Sequence, residues 1–253
     1  MNPYLKNLNR IEFVVTVACT GKCKHCSQGD HESSDSIDKT LSSDAVRKIA
    51  EEYHIDSVMT FGGEPLLCAD TVCEIHKVAT DMNIPKRQLI TNGYFSKDYG
   101  KIKEVAEMLA ECGVNDLLLS VDAFHQETIP LEYVKAFAEV VKATDVNIRV
   151  QPAWLVSAED DNPYNNKTKE LLSVFNEMGI ETNEGNIIFP MGNALKYLSE
   201  YLKPQEENEN PYWEDPKDIR AICFSANGDI LGSNIYKKEI RDILASYKPE
   251  ISL

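Results

Sequence analysis

Three cysteines, Cys19, Cys23 and Cys26, lie close together in the sequence C-T-G-K-C-K-H-C, directly after an apolar run at residues 11–17. Grouped thiols that follow a buried strand are typical of a metal site. A cluster of four irons normally takes four cysteine ligands, so a loop with three leaves one iron open to another ligand. The spacing therefore predicts a metal centre with one free coordination position, as in open catalytic zinc sites.

Two other interpretations of this loop remain open. A zinc ion could use the three cysteines with His25 as the fourth ligand, although His25 and Cys26 are adjacent and would share one ion only with steric difficulty. Zinc ligands more often form two separated pairs, and the chain has no second C-x2-C pair. The cysteines could also be buried without a ligand, but the loop around them is polar. The spacing favours an iron–sulfur loop.

A second motif, Gly62-Gly63-Glu64-Pro65, follows an apolar run at residues 57–61. Paired glycines let the backbone approach a ligand closely, and Pro65 stiffens the exit from the turn. The alternative is an ordinary turn between a strand and a helix, because Gly-Gly alone is common. The position after a strand predicts that this motif lies beside the cysteine loop.

Polar residues also stand at the ends of three later strand candidates. Thr91 and Asn92 precede a glycine, so they could face the site or form a turn, because Asn-Gly is a strong turn dipeptide. Ser120 and Asp122 are two residues apart, and strand alternation places them on one face. Arg149 could point inward to grip an anionic group or outward to pair with a helix carboxylate.

These motifs fall at the ends of regularly spaced elements. Strand candidates alternate with segments whose apolar residues recur at helical spacing, the pattern of a parallel sheet wrapped by helices. The strand candidates are residues 11–17, 57–61, 88–91, 116–121, 146–150 and 187–189. Repeated strand–helix units curl a sheet towards a barrel. The sequence therefore predicts an α/β fold, a partial (β/α)6 TIM-like barrel whose mouth lies at the carboxyl ends of its strands.

The regular pattern ends near residue 195. We predict a barrel core at residues 1–195 and a C-terminal extension, residues 196–253, that covers the barrel. Within the extension we expect an acidic surface loop at 204–217, a β-hairpin formed by 221–224 and 230–232 through Asn227-Gly228, and a closing amphipathic helix.

The composition predicts one soluble, cytoplasmic protein. The 253 residues suffice for one large α/β domain, and no apolar stretch approaches the roughly 20 residues that cross a bilayer. A formal net charge of −15 disfavours a broad nucleic-acid-binding surface. The seven cysteines are odd in number and no signal peptide precedes them, so we expect reduced thiols that can bind a metal.

The C-x3-C-x2-C spacing, followed by Gly-Gly-Glu-Pro, resembles the signature of the radical SAM superfamily over roughly residues 11–189. The resemblance implies a [4Fe–4S] cluster on Cys19, Cys23 and Cys26, whose open iron chelates S-adenosylmethionine (SAM). It further implies SAM contacts from Gly62, Gly63, Glu64, Pro65, Thr91, Asn92, Ser120, Asp122 and Arg149, with His25 near the cluster and the adenine. His25 could equally be a solvent-facing loop histidine.

The resemblance also implies a reaction class. The reduced cluster donates one electron to SAM, which breaks into methionine and a 5′-deoxyadenosyl radical that abstracts a hydrogen atom from a substrate. The substrate, a peptide or a small metabolite, stays open, and an electron donor such as flavodoxin or ferredoxin is expected. The alternative is a non-catalytic protein that binds zinc or a redox iron–sulfur cluster.

Two further features concern the second half of the chain. Gly192-Asn193-Ala194 corresponds loosely to a Gly-Arg-Ala segment of some relatives, with asparagine in the place of the arginine. Cys223 is the only cysteine after Cys112, so we expect no complete auxiliary cluster. The role of Cys223, as a core residue or a functional thiol, stays open.

Overall fold

A seven-stranded parallel sheet organises the part of the chain that this computed structural model describes, residues 2–29, 33–202 and 214–249. Its strands are β1 (Arg10–Val14), β2 (Ser57–Phe61), β3 (Lys86–Thr91), β4 (Asp116–Ser120), β5 (Asn147–Gln151), β7 (Glu181–Thr182) and β9 (Ala221–Phe224). Two short pairs complete the set, β6 (Ala153–Trp154) with β8 (Asn186–Ile187) and β10 (Asp229–Ile230) with β11 (Ser233–Asn234). The order across the large sheet is β7-β5-β4-β3-β2-β1-β9.

Helices connect the successive strands of this sheet. They are α1 (Lys39–Ala50), α2 (Ala69–Asp81), α3 (Tyr99–Glu111), α4 (Ala123–Gln126), α5 (Leu131–Lys142), α6 (Pro163–Glu177), α7 (Asn193–Tyr197) and α8 (Ile240–Ser246). Aspartate side chains begin three of them, since Asp38 accepts from the Leu41 amide, Asp98 from the Gly100 amide and Asp122 from the Phe124 amide. Because β1 to β5 are neighbours in the same order as in the sequence, right-handed crossovers place their helices on one face of the sheet.

Alternation along the strands therefore gives the sheet two different faces. Side chains that face the helices, such as Phe13, Leu89 and Leu119, are fully buried and form the core. The opposite face, here called the inner face, carries strand positions 10, 12, 14, 57, 59, 61, 86, 88, 90, 116, 118, 120, 147, 149, 151, 181, 221 and 223. Most of these side chains stay partly exposed.

The parallel sheet with helices on one side confirms the predicted α/β partial barrel. Five strand candidates overlap β1 to β5, but the sixth was wrong. Residues 186–187 form β8, which pairs with β6, while β7 occupies the place beside β5. The cause is Pro152, which has no N–H and interrupts the strand after Gln151. Its carbonyl instead accepts from the Asn186 amide at 2.9 Å.

The predicted C-terminal hairpin was also wrong in its first strand. Residues 221–224 form β9, which pairs in parallel with β1, and the hairpin consists of β10 and β11. The physical reason is burial, because the ring of Phe224 stacks on that of Phe13 with centroids 4.6 Å apart. Most of the predicted acidic loop at 204–217 lies outside the described residues.

The last described segment packs on the outside of the first helix. Arg241 of α8 pairs with Glu52 at 3.1 Å, and the side-chain Nδ2 of Asn2 donates to the Leu244 carbonyl at 2.8 Å. The division at residue 195, with an extension that covers the barrel, stays a prediction. Among the described residues, no helix has the length and apolar character needed to cross a membrane.

One buried histidine predicts how stability depends on pH. His76 of α2 is fully buried, its Nε2 lies 2.9 Å from Thr60 Oγ1, and burial together with nearby Arg87 lowers its pKa to about 3. Below pH 6.5 His76 binds a proton in the unfolded chain but stays neutral in the folded protein, so acidification favours unfolding. We expect His76 to lower the free energy of unfolding by up to about 1.4 kcal/mol for each pH unit below the pKa of the residue in the unfolded chain.

Urea unfolding of cluster-free protein at pH 7 and pH 5 measures this effect. His76→Gln keeps a polar group beside Thr60 but cannot titrate, so its unfolding free energy should fall less between the two pH values than that of the wild type. His54→Gln, at an exposed histidine, should behave like the wild type. Equal losses in wild type and His76→Gln would contradict the assignment.

Candidate functional site

The three cysteines share one loop that follows β1 at its carboxyl end. Cys23 is buried, while Cys19 and Cys26 are partly exposed, and the Cys26 amide donates to the Cys23 carbonyl at 3.2 Å. Burial raises the pKa of Cys19 to about 11 and raises that of Cys23 further. These thiols therefore need a cationic group to become thiolates at neutral pH. A polynuclear iron centre, which binds thiolates, fits this donor set.

The Gly-Gly-Glu-Pro segment lies against the chain that enters the cysteine loop. The Gly63 amide donates to the Thr16 carbonyl, and the Glu64 amide donates to the Ala18 carbonyl, both at 2.8 Å. A Cβ on Gly63 would lie 2.1 Å from the Ala18 oxygen, and one on Gly62 would lie 2.4 Å from the Thr16 oxygen. The close approach expected of these glycines is thus made to the cysteine loop itself.

The Glu64 side chain connects the ends of β2 and β3. Its carboxylate is fully buried and accepts from the Leu66 amide at 2.9 Å, the Thr91 hydroxyl at 2.7 Å and the Asn92 amide at 2.9 Å. Burial raises the pKa of Glu64 to about 7, although these hydrogen bonds oppose the rise. Pro65 is buried and opens a short turn. Glu64 therefore holds Thr91 and Asn92 beside the cysteines.

Asp122 plays a similar part after β4. Its Oδ1 accepts from the Phe124 amide at 3.0 Å and the His125 amide at 2.9 Å, while its Oδ2 lies 2.8 Å from His125 Nδ1 and accepts from the Ala153 amide at 3.2 Å. Burial alone would raise the pKa of Asp122, but the nearby His125 and His25 outweigh it and lower the value to about 2. The carboxylate thereby fixes α4 beside β6.

His25 faces inward rather than to solvent. Its ring lies 4.7 Å from the His125 ring and 5.1 Å from the Phe124 ring, and burial lowers its pKa to about 4. Its Nδ1 has no hydrogen-bond partner among the described residues, and the same holds for Nε2 of Gln126 on α4. Two unpartnered buried polar atoms beside the cysteine loop fit a site that receives a polar ligand.

The ligand atoms of Cys23, His25 and His125 all lie within 4.8 Å of one another. This set could hold a single metal ion, but it differs from the zinc site considered from the sequence, which would use all three cysteines with His25. It uses only one of the three loop cysteines, whereas an iron–sulfur cluster uses all three.

Ser120 and Arg149 both lie on the inner face of the sheet. Ser120 ends β4 opposite Gln151 and is partly exposed. Arg149 pairs through Nη2 with Asp116 Oδ1 at 2.6 Å, and its Nε is buried without a partner among the described residues. The arginine thus points inward, as one of the two sequence interpretations required, and it pairs with a strand carboxylate rather than a helix carboxylate.

Sequence reasoning missed two residues that hold the cysteine loop. The Asn193 amide donates to the Cys26 carbonyl at 2.9 Å, and its side chain donates to the Cys23 carbonyl at 3.3 Å. Thr128 accepts from the Lys22 amide at 3.0 Å. The Gly-Asn-Ala segment drew attention to Asn193 but not to this role, and nothing in the sequence singled out Thr128.

Comparison with known proteins identifies the class of protein. Residues 13–151 match the sequence profile of the family described as the radical SAM superfamily, and the chain belongs to that superfamily. This membership confirms the predicted family and its two cofactors, the [4Fe–4S] cluster and SAM.

Individual relatives are more distant. A probable GTP 3′,8-cyclase of Saccharolobus islandicus is 25% identical over 210 residues, which cover 78% of this chain and 65% of the relative. The GTP 3′,8-cyclase of Desulforamulus reducens is 26% identical over 128 residues, 49% of this chain and 38% of that protein. The chain thus spans less than two thirds of the length of these curated relatives.

Solved structures agree in fold. Streptococcus suis SuiB bound to S-adenosylmethionine superposes with a TM-score of 0.59 at 14% identity, covering 94% of this chain and 65% of SuiB. The structure of native anSMEcpe with bound AdoMet and the Cp18Cys peptide also gives 0.59 at 14% identity, covering 94% of this chain and 80% of that protein. At such identities the likeness concerns the fold.

The contact between Gly63 and the cysteine loop gives a prediction. Gly63→Ala should destabilise the cluster-free protein by at least about 2 kcal/mol, because the added methyl group meets a backbone oxygen that cannot rotate away. Iron binding should fall as well, since the displaced backbone leads directly to Cys19. Urea unfolding and the iron content after anaerobic reconstitution measure the two effects.

Gly100→Ala is the matched control. Gly100 lies in α3, where the nearest atom to an added Cβ is an Asp98 side-chain oxygen at 3.1 Å. Alanine should be neutral or stabilise this helix by up to about 1 kcal/mol. Wild-type stability and wild-type iron content in Gly63→Ala would show that the loop does not need the glycine.

Proposed function

We propose that this protein is a radical SAM enzyme that reductively cleaves SAM and uses the product radical to abstract a hydrogen atom from a peptide or small-metabolite substrate. Cys19, Cys23 and Cys26 would hold the cluster, which when bound and reduced would supply the one electron needed to cleave SAM to methionine and, after hydrogen abstraction from a substrate C–H bond, 5′-deoxyadenosine. Flavodoxin or ferredoxin is the expected electron donor.

The observation that carries this proposal is the three-cysteine loop and the way the chain holds it. Cys19, Cys23 and Cys26 would bind three irons and leave the fourth for SAM. Backbone hydrogen bonds from Gly63 and Asn193 fix the two sides of the loop, at the carboxyl ends of the strands. Active sites of barrels of this kind lie at that end.

The predicted SAM contacts divide into two groups. The carboxylates of Glu64 and Asp122 already accept three and four hydrogen bonds from within the protein, so we propose that they act by ordering the backbone around them. Ser120 at the end of β4 is partly exposed, and His25 has a buried nitrogen without a partner among the described residues. These two side chains are better suited to direct contact.

The charge of the inner face bears on the substrate. Its strand positions include three cations, and each lies near a carboxylate: Arg10 with Glu12 at 2.9 Å, and Lys86 at 3.8 Å and Arg149 at 2.6 Å from Asp116. Arg and Lys donors are the usual ligands of phosphate groups, and because these three already face carboxylates we favour a peptide or a weakly charged metabolite over a triphosphate such as GTP. SuiB, which shares the fold, is also known bound to its precursor peptide SuiA.

Cys23→Ala tests the proposal. Anaerobically reconstituted wild type should bind about four irons and four sulfides, show charge-transfer absorbance at about 400 nm, and release 5′-deoxyadenosine from SAM with a strong reductant. The variant should lose the absorbance and the cleavage, because the cluster loses a ligand. Cys112→Ala, outside the loop at the end of α3, should retain both.

Two outcomes would contradict the proposal that this protein is a radical SAM enzyme. Wild type that binds one zinc ion and no sulfide would establish the zinc alternative, and a cluster that forms but never cleaves SAM would establish a non-catalytic redox protein. Full absorbance in Cys23→Ala would reject the ligand assignment.

A further inference from the structure

The side chain of Asn92 is directed at a cluster ligand. Asn92 follows β3, is almost fully buried, and donates its backbone N–H to Glu64 Oε2 at 2.9 Å. Its Oδ1 accepts from the Tyr94 amide at 2.8 Å. Because an amide N–H can only donate, this contact fixes which end of the Asn92 side chain carries the oxygen.

The other end of the side chain meets two acceptors. Nδ2 lies 3.6 Å from Cys19 Sγ and 3.3 Å from Thr20 Oγ1, so each of its two hydrogens has a partner. Cys19 Sγ also accepts from the Gly21 amide at 3.4 Å. The sulfur is therefore approached by one backbone donor and by one neutral side-chain donor.

The position of this donor is set by the surrounding structure. Glu64 holds the Asn92 backbone from the side of β2, and the bond to Tyr94 holds the side-chain oxygen. Donors around a metal ligand that are fixed in this way tune the metal, and hydrogen bonds to the sulfurs are among the factors that set iron–sulfur potentials. An N–H bond to a ligand sulfur favours the reduced cluster, which carries one more negative charge.

We propose that Asn92 is a positioning residue that raises the reduction potential of the cluster by donating a hydrogen bond to Cys19, and so makes it easier for the electron donor to reduce the cluster. This role rests on the proposed function. It differs from the predicted contact between Asn92 and SAM, because the side-chain amide already has partners at both ends within the protein.

Potentiometric titration of the SAM-free cluster, followed by EPR, tests the proposal. Asn92→Asp keeps the acceptor for the Tyr94 amide but has no N–H for Cys19, and Asn92→Ala removes the donor without adding charge. Both midpoint potentials should be lower than that of the wild type, with Asn92→Asp lowest because of its carboxylate. Circular dichroism and iron content show that each variant is folded and loaded.

Two variants act as controls. Asn115→Asp makes the same change before β4, at the opposite end of the strands, where the Asn115 side chain contacts Pro85 and Arg87. Thr20→Val removes the second acceptor of Asn92 and the hydrogen bond from the Thr20 hydroxyl to the Tyr94 carbonyl, but leaves the bond from Asn92 to Cys19 possible. Both should keep the wild-type midpoint potential.

The outcomes separate this inference from the proposed function. An unchanged potential in both Asn92 variants overturns the inference, as does a shift in Asn92→Asp alone, which would be an effect of charge. An equal shift in Thr20→Val and Asn92→Ala overturns it too, since loop packing would then be the cause. A wild type that forms no cluster rejects the proposed function and, with it, this role of Asn92.

Discussion

A single buried residue connects the ends of three strands around the cysteine loop. The Glu64 backbone amide bonds to Ala18 in the segment after β1, its own position follows β2, and its carboxylate binds Thr91 and Asn92 at the end of β3. A buried carboxylate without partners costs several kcal/mol, so these donors must stay in place for the fold to tolerate it. The geometry at Cys19 is a consequence of satisfying that charge.

Asp122 repeats this arrangement on the other side of the site, with a different electrostatic result. Both carboxylates are fully buried and fully hydrogen-bonded, yet the pKa of Glu64 is raised to about 7 and that of Asp122 is lowered to about 2. The difference comes from His125 and His25, which strongly lower the pKa of Asp122, whereas His125 has only a minor effect on that of Glu64. At neutral pH the site therefore holds one carboxyl group, Glu64, whose pKa is close to the pH, and one, Asp122, that is ionised. Each orders the end of a strand before any ligand binds.

The sequence predicted the parts of this site that depend on local pattern. The strand ends followed from apolar runs, and the Gly-Gly-Glu-Pro motif was recognised by its resemblance, after the three-cysteine loop, to the radical SAM signature. The contact of Gly63 with Ala18 was not predictable. The two residues lie in different loops, and the sequence of either loop alone does not show how the two pack together. Asn193 reaches Cys23 across 170 positions of sequence, so only the folded chain reveals its role.

The same reasoning explains the errors in the outer strands. Residues 221–224 were correctly taken as extended, and only residue 187 of the candidate at 187–189 lies in a strand; the pairing of such short strands is decided by their neighbours. Pro152 interrupts β5 and sends the chain into a separate small sheet, while the open edge of β1 takes up β9. The pattern of a single segment predicts that it is extended, but it does not predict which strand the segment pairs with.

The inner face restricts the chemical groups that could lie against the sheet below the cysteine loop. One row of register partners across this face consists of Glu12, Met59, Gln88 and Asp116. Two positions nearer the carboxyl ends of the strands, Val14 is the partner of Phe61 and Ile90 is the partner of Leu118. Of these, Val14, Phe61 and Ile90 are apolar and partly exposed, and they lie between the row of Glu12 and Asp116 and the cofactor end of the strands. Because burial raises the pKa of Glu12, added negative charge would be unfavourable there. A substrate that reaches this depth should present apolar or weakly polar groups, and its charged parts should remain nearer the mouth.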